Sequence, residues 1–348
     1  MTLPAETARA RTGSGPRRMI ARAALAALGI IAAGGLIWWL AASLDTGGAD
    51  LWELLRGIPV WAWAALVALT AAQFLISAVK WTLVTRRLFP EDRAVPGIAA
   101  VTLYTAVGAV LGIFVTVYVG TVASRALAMR LLHRRGVGRN AAATVLEQGF
   151  DVAAMACFAV AAAAVLFLGI GWIWLVVLPP LFAMAGGALL LRSRHVVAWL
   201  RARLRGAGSA RDADTMTTAV DRLLTARMVA VLLGASGLRF LVLALRVVVV
   251  VLAIGQTVPL MDVTLAFPLV QASQLASLTP GNIGIAEWTW VGLLMFQGGT
   301  LETAGAFALV LRLAGLAALG ATTGLLAAIL LVRRVQGAHG RNPAVAGA

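Results

Sequence analysis

Apolar residues run in long stretches separated by short basic clusters. Six stretches, about 19–42, 60–80, 141–168, 172–192, 228–254 and 303–332, are each about 20 residues or longer. That is enough to cross a hydrocarbon core of about 30 Å as a helix. Two more, about 95–132 and 263–300, are each near 37 residues, too long for one crossing and short for two. The pattern predicts an all-α polytopic membrane protein with about six full spans plus two re-entrant helical hairpins. It lacks the short alternating strands of an outer-membrane barrel.

Charge sets the topology. The basic clusters Arg9 to Arg22, Lys80 to Arg93, Arg130 to Arg139, Arg192 to Arg227 and Arg333 to Arg341 lie between the apolar runs. Cytoplasmic loops carry such an excess. With the N-terminus inside, the acidic loop Asp45 to Glu53 lies outside, and Lys80, Arg86 and Arg87 lie inside. If 95–132 crossed once, every later basic loop would be inverted. If it enters and leaves by one face, all basic clusters fall inside, and the same logic makes 263–300 a hairpin from outside. Trp38, Trp39, Trp61, Trp63, Trp172 and Trp174 then fall at outer ends, as an interfacial belt should. Both termini are expected in the cytoplasm.

Composition agrees with this picture. The chain is 61% hydrophobic and 12% charged, where soluble domains are about a quarter charged. The net charge of +15 is explained by topology and anionic lipid contact, not by a nucleic-acid surface. The single cysteine, Cys157, excludes a disulfide framework within the chain. The basic N-terminus followed by an apolar run from Met19 to Ala42 is like a signal peptide, but the run is too long for one and is expected to be the first span. In RSRHVVAWLRARLR, 192–205, Val197, Leu200 and Leu204 share one face, which predicts an interfacial helix on an anionic leaflet. A polar linker, GAGSARDADTMTT, follows. The expected divisions are a basic cytoplasmic tail 1–18, a first membrane repeat 19–168, a second 169–335 with a cytoplasmic amphipathic loop 193–226, and a tail 336–348. No soluble catalytic domain is expected.

The hairpin reading makes each half three spans plus one hairpin. Three is odd, so the second half is inverted relative to the first, an arrangement typical of transporters. Val119-Gly120 recurs as Ile283-Gly284, 164 residues on, and Val145-Leu146-Glu147 as Val310-Leu311-Arg312, 165 residues on.

Six charges fall at membrane depth: Arg125, Glu147, Asp151, Arg239, Glu287 and Arg312. Each costs about 2.5–3.5 kcal/mol at a helix centre facing lipid, so they must face each other, water or a polar ligand. Arg246 lies near the outer end of its span and is expected to snorkel. The signs alternate by half, which predicts that Arg125 pairs with Glu147 and Glu287 with Arg312. The stretch SLTPGNIGIAEW, 277–288, puts a helix breaker at a hairpin tip. Pro280 and Gly281 end one half-helix, and Gly284 permits close backbone approach. Free N–H groups at the next half-helix predict an anion-binding tip, capped by Thr279 or Asn282 and anchored by Glu287 through Arg312. Asn282, Gln271 and Gln274 are candidate cavity-lining groups, or in the plainer reading the glutamines bond helix to helix.

Asp151 lies four residues after Glu147 on one helical face. That pair is the only candidate for acid–base work. His133, His195 and His339 lie outside the spans, and no Asp/His/Cys set has metal-ligand spacing. No phosphate-binding loop or Ser–His signal occurs. No metal or other cofactor is expected.

PGNIGIAE, with an arginine in the next span, resembles the lysylphosphatidylglycerol synthase transmembrane region family of flippase-like proteins. So does RALAMRLLHRRGVGRNAAATVLEQGFD. The family's arginine, Gly-Val step, Glu-Arg and following Asp fall here on Arg125, Gly136-Val137, Glu147-Gln148 and Asp151. Its Pro-Gly-Gly-x-Gly-x-Arg-Glu tip falls on Pro280, Gly281, Asn282, Gly284, Ala286 and Glu287. The resemblance covers about 20–335. Asn282 stands for a glycine, Ala286 and Gln148 stand for arginines, and the usual acidic residue beside Gly120 is missing. The loss of two basic groups weighs against a strongly anionic substrate. No soluble aminoacyl-transfer domain of the kind some relatives carry is expected, and so no lysyl transfer. The resemblance implies movement of a lipid between leaflets of a bacterial plasma membrane. The lipid classes it suggests are an anionic phospholipid, an aminoacylated lipid or a polyprenyl-phosphate sugar. Two alternatives stand beside it: a membrane-embedded transferase for lipid-linked sugars, and a non-transporting partner of a glycosyltransferase or cell-envelope complex.

Overall fold

The computed structural model describes residues 48–89, 96–133, 137–192, 224–255, 258–276 and 279–339. Ten α-helices occur in them: α1 (Gly48–Gly57), α2 (Val60–Leu88), α3 (Ile98–Leu111), α4 (Val117–His133), α5 (Val137–Leu168), α6 (Trp174–Arg192), α7 (Ala226–Ala253), α8 (Leu260–Ser273), α9 (Ile285–Phe296) and α10 (Leu301–His339). No strand occurs among the described residues. The protein is an all-α polytopic membrane protein. Five helices, α2, α5, α6, α7 and α10, are long and apolar enough to cross a membrane, and α3, α8 and α9 are shorter apolar helices. The expected span 19–42, the interfacial helix 192–205 and the linker after it lie outside the described residues, apart from Arg192.

Helix ends follow local chemistry. Pro59 and Pro259 sit at the N-caps of α2 and α8, where no backbone N–H is needed. Thr225 caps α7, its hydroxyl accepting from the Met228 amide. Pro179 and Pro180 stay inside α6, as transmembrane helices allow. The expected outer loop 45–53 differs: 48–57 is helical, and Leu54 and Leu55 pack on the main core. An apolar spacing of Leu51, Leu54 and Leu55 in that stretch explains the helix.

The 95–132 stretch folds as α3, a turn and α4. They pack closely because glycines face each other: a Cβ on Gly120 would sit 2.4 Å from the Gly108 carbonyl oxygen and 2.7 Å from the Gly112 nitrogen. The 263–300 stretch folds as α8, a broken tip and α9. Each hairpin packs across the molecule, α3 against α10 and α8 against α5. The main core joins α2, α5, α7, α8, α9 and α10 through Leu66, Met155, Phe240, Phe267, Trp290 and Phe307. A stacked and tilted aromatic series, Phe158–Phe240–Phe267, with centroids 4.3 and 5.1 Å apart, ties α5 to α7 and α8.

Candidate functional site

α2 carries a polar stripe, Thr70, Gln73, Ser77 and Lys80, at helical spacing, and all four are buried. The stripe meets α4 and α5. Arg125 donates from Nη1 to Glu147 Oε2 at 2.8 Å, as the alternating signs predict. It also donates to Thr105 Oγ1 and, at 3.0 Å, to Ser77 Oγ, which in turn donates to Glu147 Oε1 at 2.8 Å. Arg125 is held against the Trp81 ring, 5.8 Å from its centroid, and Trp81 is fixed by its indole bond to Thr144.

Lys80 overturns its expected place in the cytoplasmic cluster. It is fully buried, 3.4 Å from Glu147 and hydrogen-bonded to Asp151. Arg86 and Arg87, one to two turns on, are exposed. Arg239 of α7 binds the other Asp151 oxygen at 3.0 Å. The result is a chain of alternating charge: Arg125, Glu147, Lys80, Asp151, Arg239. Glu147 and Asp151 share a helical face, but each carboxylate is held by two cations. Neither is left as a free base, which removes the geometric support for acid–base work by that pair.

The second hairpin has its own anchor. Pro280–Asn282 is one tight turn, with Gly281 at φ 60°, Asn282 at φ 57° and Gly284 at φ 86°. Gly284, not Thr279 or Asn282, is the N-cap of α9. The Glu287 carboxylate reaches back to accept from the Gly284 amide at 2.7 Å. The predicted anion-binding tip is therefore corrected: this helix N-terminus already holds an anion, the protein's own. Thr279 instead donates to the Ile283 carbonyl. Arg312 lies 3.5 Å from Glu287 and donates to the Gly281 carbonyl at 2.9 Å, so the predicted pair forms and grips the turn as well. Asn282 donates to Gln274 at 3.3 Å.

The two hairpin tips touch. The Gly281 amide donates to the Val115 carbonyl at 2.9 Å, and a Cβ on Gly281 would meet the Ile113 carbonyl oxygen at 2.7 Å. Only glycine fits there, on grounds of both φ and space.

Beside this junction lies a cavity of about 320 Å³ between α2, α5, α7, α10 and both hairpins. Asp151, Gln271, Gln274, Gly281, Asn282, Glu287 and Arg312 line it. Arg125 and Glu147 sit behind its wall through Ser77 and Thr105, which do line it. Arg246 also lines it, donating to Gln73 at 3.0 Å, so it does not snorkel as expected. The groups missed from sequence are Gln73, Ser77, Lys80 and Arg246. The helical spacing of the α2 stripe, and the seven-residue step from Arg239 to Arg246, could have revealed them. Among the described residues no group of His, Cys, Asp and Glu is set to hold a metal.

The profile of the lysylphosphatidylglycerol synthase TM region matches residues 25–333. The chain belongs to that family. No curated protein and no solved structure matches it. Arg239 and Arg246 of α7 line the same cavity as Ala286 and Gln148.

Proposed function

We propose that this family member moves a lipid between leaflets, passing its headgroup through the cavity at the hairpin junction. One observation carries the reading. The cavity lining combines charged and amide groups with apolar side chains, among them Leu66, Val250, Leu316 and Leu319. A lipid has that same combination. Candidate lipids are an anionic phospholipid, an aminoacylated lipid or a polyprenyl-phosphate sugar. Arg125, Glu147, Asp151, Gln271, Gln274, Asn282, Glu287 and Arg312, with the backbone at Pro280, Gly281 and Gly284, serve that headgroup, directly or by holding the hairpins.

The same proposal includes an inverted repeat with two re-entrant hairpins. In support, α3, α8 and α9, with 14, 14 and 12 residues, reach only about 18–21 Å, short of the bilayer. Each half ties the second helix of its hairpin to the next long helix by one ion pair, with the signs exchanged: Arg125 to Glu147, and Glu287 to Arg312. Each hairpin also packs on the last long helix of the other half. The basic clusters favour a bacterial plasma membrane with both termini cytoplasmic.

The test is purified protein in liposomes containing all three lipid classes, following headgroup exposure on each leaflet together with lipid mass. Headgroups should change leaflet at unchanged mass, and Glu287→Gln and Arg312→Ala should stop them. A change in lipid mass would mean an enzyme. No change in either would favour a non-transporting partner.

A further inference from the structure

The helices pack in pairs that exchange between the two halves, and one place is left unfilled. In chain order, α6, α7, α8 with α9, and α10 of the second half correspond to 19–42, α2, α3 with α4, and α5 of the first. The packing respects this exchange. α2 on α3 has its counterpart in α7 on α8, and α4 on α5 in α9 on α10. Across the halves, α3 on α10 matches α8 on α5, and α2 on α10 matches α7 on α5. α6 packs on α5 and α7. Once the other helices are matched, no described helix is left to play its part on α10 and α2.

The surface of α10 shows the gap. In α5, 39% of the apolar stretch is buried, against 11% in α10. By the 165-residue step that carries Glu147 to Arg312, the buried Ala159 and Ala162 of α5 fall on Gly324 and Ala327 of α10, both exposed. Ala317, Gly320, Gly324 and Ala328 line one exposed face. A Cβ on Gly320 or Gly324 would meet nothing within 4 Å. Small residues in such a line let a second transmembrane helix approach closely. The chain itself supplies one. α1 packs on α10, and only residues 43–47 separate Gly48 from the run 19–42. That tether keeps the outer end of the run within about 20 Å of α1. Alanine and glycine dominate 23–35 of the run, so small residues would meet small residues.

We infer that the exposed Ala317–Ala328 face of α10 is the seat of the chain's own segment 19–42, placed on α10 and α2 as α6 is placed on α5 and α7. This rests on the inverted-repeat part of the proposal above and not on transport. The first helix of each half then braces the last helix of the other. α10, which carries Arg312, is held from both halves, as α5 is.

The test is disulfide formation in the full chain, in phosphatidylcholine liposomes, with Cys157→Ala removing the native thiol. Gly320→Cys or Gly324→Cys is combined with a cysteine placed one position at a time from Ala23 to Leu36. A protease site in the linker after residue 205 shows whether a link joins two parts of one chain. Links should form within one chain and recur at every third or fourth position. They should form about tenfold faster or more than links to Leu181→Cys on the exposed surface of α6, since packed neighbours meet at a high effective concentration. Gly324→Leu should slow the Gly320→Cys links several-fold by filling the face. Links to α6 instead, or links between two chains through Gly320 or Gly324, would overturn the seat. So would an absence of links with both positions open to a lipid-phase thiol reagent. Labelling of Asn282→Cys separates the two ideas. Labelling only from the cytoplasm while the links form sinks the inverted repeat and leaves the seat. Labelling from outside without the links sinks only the seat.

Discussion

Replacing Glu147 by Gln removes one of two carboxylates shared by three cations, Arg125, Lys80 and Arg239. Glu147 and Lys80 are fully buried, and Arg125 nearly so. Without Glu147, Arg125 keeps Thr105 and Ser77 but loses its carboxylate partner among the described residues, and Lys80 keeps Asp151. Removing one partner of a buried pair costs about 3–5 kcal/mol, because the other charge stays uncompensated. Lys80→Met acts in the opposite direction on charge. It leaves one arginine per carboxylate, Arg125 with Glu147 and Arg239 with Asp151, and Met fills much of the space. Its expected cost is smaller, about 0–2 kcal/mol, since an ion pair replaced by apolar volume is often neutral.

The double variant decides the matter. With Lys80 gone, Glu147→Gln strands one cation instead of crowding two, so its cost should fall by about 1–3 kcal/mol, the coupling usual for residues in one network. The assay is equilibrium denaturation of the four proteins in one detergent and lipid mixture, held constant because bound lipid stabilises by mass action. Equal costs for the two single variants, or strict additivity in the double, would refute the alternating-charge chain.

Gly281→Ala should abolish leaflet exchange at normal expression, since it strains a φ of 60° and pushes Ile113 away at the tip junction. Gly120→Ala should act on stability as well, by about 1–3 kcal/mol, because the new Cβ meets backbone of α3 on both sides; exchange and unfolding assays separate the two. Glu287→Ala should lower stability by about 1 kcal/mol or more through loss of the α9 cap, beyond leaving Arg312 unmatched. Cysteine at Asn282 in a Cys157→Ala background should not label solely from the cytoplasm, and labelling from that side alone would sink the inverted-repeat proposal.

The long helices were legible because a membrane asks only for length and apolarity, and 60–80, 141–168, 172–192, 228–254 and 303–332 fall within observed helices or start within two residues of one. The pairs Arg125–Glu147 and Glu287–Arg312 were legible because few charges occur in those stretches and opposite signs had to meet. Lys80 was not. Its neighbours in sequence are Arg86 and Arg87, and positive-inside counting assigns such a cluster as one block. Which turn of a helix faces a neighbour is decided by packing between α2 and α5, residues 70 apart. Arg246 failed for the same reason: a position near a span's end allows snorkelling only where that face meets lipid, and this face meets α2. The α9 cap was misread because a carboxylate at the third helical position can serve the turn before it as readily as an arginine in another helix, and Glu287 does both.

The sizes of these contacts point to where the molecule can move. The first hairpin is tied to its long helix by the buried pair Arg125–Glu147, whose breaking costs about 3–5 kcal/mol, and the second by the pair Glu287–Arg312 with the Arg312–Gly281 hydrogen bond. Between the tips the described hydrogen bond is one, Gly281 to Val115, worth about 0.5–1.5 kcal/mol net. Parting the tips is therefore cheaper than dismantling either anchor, and each hairpin should travel with its own ion-paired helix. The Glu287 cap strengthens this, since α9 keeps its end satisfied when the tip lets go. Hydrogen exchange reads the difference directly. The Gly281 amide should exchange well before the amides of Trp290 to Leu294 in α9, whose bonds lie within the helix. Equal protection at both would place the weak joint elsewhere.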